Sequence, residues 1–242
     1  MQNGTFNSLR APATTDSLKR EHFVSASVSP ANMPPMPPST TVEEFLDQAT
    51  HGALLSWTLQ NKERFRPATV TRSEGLTVDP SARDNLKLSD LGPAEPAIRE
   101  RLLAALPGLA ADLGCSFPPA VILELELTAY GDGAFYRAHA DSVSPSQLRN
   151  PSHGEKDPRL LSAVYYFHRR PKAFVGGSLR LYRWGDSDPA NPANYRDLEP
   201  SDNRLVAFLS WSRHEVRPVS CPSGQFEDFR FALNCWYRTY LP

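Results

Sequence analysis

Residues 121–130, V-I-L-E-L-E-L-T-A-Y, alternate apolar and polar side chains with a period of two, Leu123, Leu125 and Leu127 against Glu124 and Glu126. Successive strand residues point to opposite faces, so this pattern specifies a strand and fixes the face that meets a core. A slip of one residue would turn every leucine outward. The pattern reads as a half-buried strand, with Glu124 and Glu126 on a solvated face rather than forming a carboxylate pair for acid–base work. Further strands are expected at 134–141, 160–168, 177–183, 204–210, 213–219 and 229–238, divided by Gly-, Pro-, Asn- and Asp-rich turns, notably 142–158 and 185–194. Many short strands separated by turn signals and preceded by helices predict a β-sandwich or jelly-roll barrel braced by those helices.

Upstream, residues 1–39 are rich in Ser, Thr, Asn and Pro, end in P-P-M-P-P and show no apolar periodicity, which predicts a disordered tail. A helix is expected to start at Ser39-Thr40-Thr41, with Glu43 and Glu44 in its first turn and an apolar stripe to about Asn61. Residues 64–92 form a long, weakly patterned connection punctuated by Pro67, Gly75, Pro80 and Gly92, the kind of segment that serves as a lid or binding loop. A second helix is expected from Glu95 to Leu113, closed by Gly114. The chain thus divides into a tail at 1–39 and one domain at 40–242, with helical support at 40–116 and a jelly-roll core at 117–242.

Composition excludes several function classes. With 26 Lys and Arg against 27 Asp and Glu, the net charge is -1, and no basic block offers a footprint for nucleic acid. No apolar run approaches the ~18 residues of a membrane span, and no secretory signal pattern opens the chain. Cys115, Cys221 and Cys235 are odd in number, widely spaced and without a C-x-x-C, which favours reduced thiols in the cytoplasm over a disulfide framework or a zinc site.

The chemistry-bearing stretch is Tyr130–Asp141, Y-G-D-G-A-F-Y-R-A-H-A-D. On a strand, His139 and Asp141 project together, with Phe135 and Arg137 on their face and Tyr136 and Ala138 opposite. An imidazole and a carboxylate side by side supply two of the three ligands of a 2-His-1-carboxylate iron site. His214, in W-S-R-H-E-V-R-P-V after a strongly apolar strand, is the best third ligand. His22 lies in the tail, His51 on a helix, His153 in a polar loop, and His168 at a strand end beside two arginines. In F-R-F-A-L-N-C-W-Y, Phe229, Phe231, Leu233 and Cys235 form one face and Arg230, Ala232, Asn234 and Trp236 the other. Arg230 therefore sits among apolar neighbours, where a lone guanidinium is expensive and an anion must meet it. Tyr166, on a face with Ser162 and Val164, can present a hydroxyl to that anion, with core packing as the alternative. Gly176-Gly177 marks a tight turn or bulge.

These stretches, with A-V-Y-Y-F, G-G-S-L-R-L-Y and D-L-E-P-S-D-N-R-L-V-A-F between them, resemble the Fe(II)/2-oxoglutarate-dependent dioxygenases from about Tyr130 to Tyr237. The likeness is closest to the prolyl-4-hydroxylase branch, which includes the prolyl hydroxylases of hypoxia-inducible factor and their bacterial relatives. The resemblance implies an α+β, mainly β fold with a double-stranded β-helix (jelly-roll) core. It implies Fe(2+) on His139, Asp141 and His214, with 2-oxoglutarate and O2 as cosubstrates and ascorbate (vitamin C) as a further cofactor. By the same resemblance Arg230 and Tyr166 bind the distal carboxylate of 2-oxoglutarate, Tyr130 and Tyr136 line the cosubstrate pocket, Trp236 packs beside the substrate and Asn234 stands near it. The implied reaction is hydroxylation of a prolyl residue in a protein or peptide, with release of succinate and CO2. A free amino acid or other small molecule as substrate, and a jelly-roll module that binds metal or ligand without turnover, stay open as alternatives. Two stretches are longer than in the family, 142–158 and the C-P-S-G-Q-F-E-D insertion at 221–228.

Overall fold

The computed structural model describes residues 35–72, 75–117, 120–144, 158–185 and 188–239. Strands β1 (Ser39–Val42), β2 (Arg66–Pro67), β3 (Val70–Arg72), β4 (Gly75–Thr77), β5 (Arg83–Asp84) and β6 (Leu86–Leu88) precede the long β7 (Ile122–Tyr130). After it come β8 (Phe135–His139), β9 (Arg159–Phe167), β10 (Val175–Gly176), β11 (Leu179–Tyr182) and β12 (Tyr195–Leu198). The chain closes with β13 (Arg204–Leu209), β14 (His214–Val216), β15 (Val219–Ser220) and β16 (Arg230–Arg238). Helices α1 (Gln48–Gln60) and α2 (Glu95–Asp112) lie among the early strands. Among the described residues no helix is long and apolar enough to cross a membrane.

Two antiparallel sheets carry the jelly roll. The major sheet runs β1-β13-β9-β16-β7-β6-β2 and the minor sheet β12-β11-β14-β8-β5, with β10-β15 and β3-β4 as separate pairs. The period-two patterns sort the side chains between two layers. Leu125, Leu127, Ala163, Tyr165, Leu233 and Cys235 face the helices, packing with Leu54 of α1 and Ile98 and Leu102 of α2. Tyr166, Val206, Phe208 and Ala232, on the opposite face, pack against Leu179 and Leu181 of the minor sheet.

The major sheet is thus covered on both faces at its centre, which corrects the solvated face expected for Glu126, while Glu124 keeps part of its exposure. Glu124 pairs with Arg159 and Arg238, at 2.6 and 3.0 Å. Glu126 pairs with Arg83 and Lys87, at 3.1 and 3.3 Å. Glu126 is neutralised where Arg83 of the minor sheet covers it, whereas Glu124 stays partly exposed between two arginines of its own sheet.

The first helix also starts later than expected. Ser39–Val42 form a strand because the β-branched Thr-Thr-Val run suits an extended chain, and it pairs with Leu205–Phe208. The helix is capped by Asp47, whose Oδ1 accepts from the backbone N–H groups of Ala49 and Thr50, both at 2.9 Å. Residues 1–34 of the expected tail lie outside the described residues. Its last part is held by the fold, with the Pro35 carbonyl accepting from Trp184 N–H at 3.3 Å. The 64–92 connection is built from five short strands: β5 joins the minor sheet and β6 the major one, while β3-β4 forms a separate hairpin. Most of the 142–158 loop, residues 145–157, lies outside the described residues.

One side chain fastens the segment before α1 to the major sheet. Asn203 Oδ1 accepts from Leu46 N–H (3.0 Å) and from the Tyr165 hydroxyl (2.8 Å), and its amide donates to the Leu46 carbonyl (2.9 Å). Its φ of 58° is in the left-handed region, which Asn tolerates better than most residues. Asn203→Ala should lower the unfolding free energy by about 2–4 kcal/mol in urea denaturation. Asn203→Gly, which fits that φ but supplies no amide, should recover only about 1 kcal/mol of it. A loss under about 0.5 kcal/mol for the alanine variant would refute the fastening role.

Candidate functional site

The three candidate ligand residues converge from the minor sheet. His139 ends β8 and His214 begins β14, and the two stand directly opposite each other in the register. Asp141 follows β8 by two residues. One donor atom from each of the three lies within 4.8 Å of the others. The separations are 3.6 Å from His139 Nε2 to Asp141 Oδ1 and 3.7 Å from His214 Nε2 to Asp141 Oδ2. Both imidazoles use Nδ1 on a nearby carbonyl, His139 on Arg137 and His214 on Ser212, each at 2.8 Å. That bond fixes Nδ1 as the protonated nitrogen and leaves the Nε2 lone pair turned towards the carboxylate.

Electrostatics holds these groups in the protonation state that a metal takes. Burial, and next the neighbouring His139, push the His214 pKa down to about 4, against an opposing pull from Asp141. Burial works to raise the Asp141 pKa, yet the two imidazoles and the Ser162 hydroxyl hold it well below the usual carboxylate range. Near neutral pH the site is therefore a carboxylate beside a neutral imidazole, a donor set that suits a divalent transition metal.

Register also explains a correction. His139 pairs with His214 but Tyr136 pairs with Val216, so three steps along β8 match two along β14. This bulge reverses the alternation within β8. Tyr136 consequently shares the face of His139, their rings stacked at 3.7 Å, instead of pointing the opposite way. Phe135 and Arg137 pack on each other away from the site, with the Arg137 guanidinium over the Phe135 ring at 5.5 Å. The bulge has no signature in F-Y-R-A-H that strand periodicity could use.

A cavity of about 270 Å³ opens beside the three donors and is lined by Tyr130, Tyr136, Tyr166, Arg230, Asn234 and Trp236 among others. Arg230 is 1% exposed. Its Nε donates to the Gly177 carbonyl at 2.8 Å, and its guanidinium lies over the rings of Tyr130 and Tyr166 at 4.7 and 4.9 Å. Among the described residues its Nη1 has no partner, and neither has the Tyr166 hydroxyl, both being buried. Burial, against an opposing pull from Arg230, pushes the Tyr166 phenol up to about 12, so it stays a donor. Two buried donors without an acceptor, on one cavity wall and 1% exposed residues both, fit a small carboxylate.

The 221–228 insertion does not disturb this register: Arg230 stands opposite Tyr130 and the pairing runs unbroken to Arg238 against Ile122. Phe226, inside the insertion, packs on Phe65, Phe229 and Phe231 at 5.2–5.4 Å and so folds the extra residues away. Trp236 lies under the Arg159 guanidinium at 4.0 Å. The rival histidines stand apart: His51 Nδ1 meets the Tyr165 hydroxyl at 2.6 Å, and His168 Nδ1 meets the Arg169 carbonyl at 2.8 Å. His22 and His153 lie outside the described residues.

Gly177 is a residue whose role the Gly-Gly turn reading understates. A Cβ there would sit 2.6 Å from Arg230 Cδ, and its φ is +69°. Only glycine lets the backbone approach closely enough to accept from the guanidinium. The signal was available in Gly176-Gly177, but its target lies 53 residues away.

Comparison with known proteins agrees with this architecture. Residues 125–238 match the 2OG-Fe(II) oxygenase superfamily. An uncharacterized PKHD-type hydroxylase of Synechocystis sp. is 32% identical over 203 residues, covering 81% of this chain and 62% of that protein, so the chain spans under two thirds of this relative's length. A prolyl-4-hydroxylase of Pseudomonas putida superposes with a TM-score of 0.59 at 24% identity, over 84% of this chain and 94% of that one. A Trichoplax adhaerens prolyl hydroxylase, in complex with a hypoxia inducible factor oxygen degradation domain peptide fragment, superposes with a TM-score of 0.56 at 20% identity, over 83% of each chain. Residues 125–238 are thus similar to the 2OG-Fe(II) oxygenase superfamily, and the fold is shared with these two prolyl hydroxylases.

The unpartnered guanidinium gives a test of purpose. If Arg230 serves a ligand, Arg230→Met should leave the stability of the ligand-free protein unchanged or raise it by up to about 2 kcal/mol, because it removes an uncompensated buried charge. A loss of more than about 2 kcal/mol in urea denaturation would make Arg230 a structural residue instead.

Proposed function

We propose, from the similarity of residues 125–238 to the 2OG-Fe(II) oxygenase superfamily, that this protein is an Fe(II)- and 2-oxoglutarate-dependent dioxygenase that hydroxylates a prolyl residue of a protein or peptide, releasing succinate and CO2. The observation that carries the reading is the buried Arg230, with Nη1 and the neighbouring Tyr166 hydroxyl both lacking an acceptor, in the cavity beside three metal-type donors. An iron site alone leaves that guanidinium without a use. A small dicarboxylate that reaches from the metal to Arg230 satisfies both.

In this reading His139 Nε2, Asp141 and His214 Nε2 would hold the ferrous ion. The bound ion with 2-oxoglutarate supplies the oxidising chemistry. The chain's own work is placement and exclusion of water. Arg230 and Tyr166 take the carboxylate remote from the keto group, and Gly177 holds Arg230 in line. Tyr130 screens the guanidinium, and Tyr136 braces the His139 ring. Trp236 and Asn234 face the substrate, with Arg159 fixing the indole. The β3-β4 hairpin, whose Leu76 lines the cavity rim yet is 74% exposed, is the part of the 67–92 connection suited to cover a bound peptide.

The prolyl assignment draws on the proteins that share the fold, two of them prolyl hydroxylases by name and one bound to a peptide fragment. Ascorbate rests on family resemblance alone, and a cytoplasmic location on cysteine usage. Supplied with Fe(II) and 2-oxoglutarate, the protein should form succinate, and His139→Ala should lose that activity by roughly two orders of magnitude or more. Mass spectrometry should show a proline-containing peptide gaining one oxygen atom. Gain on free proline alone would favour a small-molecule hydroxylase, and binding of metal and 2-oxoglutarate with no succinate would favour a binding module. Gly177→Ala, by displacing Arg230, should raise the KM for 2-oxoglutarate about tenfold or more. An unchanged KM would contradict the seat assigned to that glycine.

A further inference from the structure

Asp141 is held by more than its neighbours in the ligand set. The Ser162 hydroxyl lies 2.7 Å from Asp141 Oδ2 and 2.9 Å from the Ser210 hydroxyl. A carboxylate only accepts, so the single Ser162 proton goes to Oδ2, and the Ser162 oxygen must then accept from Ser210. Both serines are buried, Ser162 at 1% and Ser210 at 0% exposure, so water does not compete for these bonds. Ser210 also fixes the backbone of the same residue, its carbonyl accepting from Asp141 N–H at 2.9 Å and Ser142 N–H at 3.2 Å. Ser162 lies on β9 and Ser210 directly follows β13, both in the major sheet, whereas His139 and His214 belong to the minor sheet.

We propose, resting on the metal reading above, that the Ser162–Ser210 pair is a positioning device that restricts Asp141 to one ligating oxygen. A carboxylate can bind a metal through one oxygen or two. Each oxygen faces one imidazole, Oδ1 that of His139 and Oδ2 that of His214, but the hydroxyl donated to Oδ2 takes one of its two lone pairs and draws off its charge, so Oδ1 is the stronger ligand. The distinction has a consequence for turnover. Three single-atom ligands leave the most positions for cosubstrate and O2, and a second carboxylate oxygen would take one of them. The pair also ties the Asp141 ligand to the major sheet, which carries Arg230, so metal and carboxylate subsites keep a fixed separation. Ser162 and Ser210 touch no reacting atom; they act through Asp141.

The test uses Co(II), which reports coordination through its d–d absorption without turnover. Ser162→Ala should weaken Co(II) binding by about 10–100-fold, the effect typical of losing a partner to a metal ligand. Its d–d band should also lose intensity as a second carboxylate oxygen enters. Ser162→Thr, which keeps the hydroxyl, should restore both readouts to within about threefold of the unsubstituted protein. Ser210→Ala, which removes only the outer hydroxyl, should shift both the same way by less, and it carries the test if Ser162→Ala does not fold. Unchanged affinity and spectrum in both alanine variants would overturn this proposal while leaving the metal site intact. Failure of the unsubstituted protein to bind Co(II) at all would overturn the metal reading and this inference together.

Discussion

A guanidinium at 1% exposure with no carboxylate beside it among the described residues is the constraint around which this protein is arranged. Removing such a charge from water costs several kcal/mol even after relaxation, and a fold keeps it only where other interactions offset that cost. Two tyrosine faces and the Gly177 carbonyl supply part of the compensation. The rest is left for a ligand, which is how a binding site differs from a structural ion pair. The contrast with Glu124 and Glu126 is instructive. They lie on the same face of the same sheet, yet each meets two cations within 3.3 Å. Neutralised charges form the cavity's outer wall, and the unneutralised one lies in its depth.

The two sheets contribute different halves of the site. The minor sheet supplies His139 and His214 from adjacent strands, each with Nδ1 held by a carbonyl two residues earlier. The major sheet supplies Arg230 and Tyr166 from adjacent strands at its centre. Central strands buried on both faces, as β9 and β16 are, are the least mobile parts of a fold of this kind, so the Arg230–Tyr166 half is rigid before any ligand arrives. Precise placement of reacting groups is what such rigidity offers a catalyst. The helices take no part in the chemistry. They cover the far face of the major sheet and so permit its inner face to carry polar groups.

Much of this was legible from residue order. The alternation in Arg230–Tyr237 assigns each side chain to its correct layer, and the pairing of β16 against β7 and β9 follows it. Most strand limits deviate by a residue or two, as hydrogen-bonded ends usually do, but the strand expected at 213–219 is split into β14 in the minor sheet and β15 paired with β10. What escaped the sequence is what depends on long-range partners. Tyr136 changes face because of a bulge that only the pairing of β8 with β14 reveals. Glu126 read as solvated because alternation cannot tell a face turned to water from one turned to a second sheet. Ser39–Val42 carry helix-start residues, yet β13 offered them a strand edge, and Asp47 supplied the cap instead. Ser162 had no local signature, and Gly176-Gly177 marked a turn without naming its partner, since the partners lie 21 and 53 residues away.

The account stands on metal and carboxylate subsites acting as one unit. Calorimetric titration of the protein with 2-oxoglutarate, with and without saturating Mn(II) as a redox-inert substitute for iron, tests this directly. One equivalent should bind when the metal is present, with affinity falling by at least about tenfold in its absence, since the two subsites share a single ligand. Equal affinity with and without metal, or no binding in either case, would contradict it.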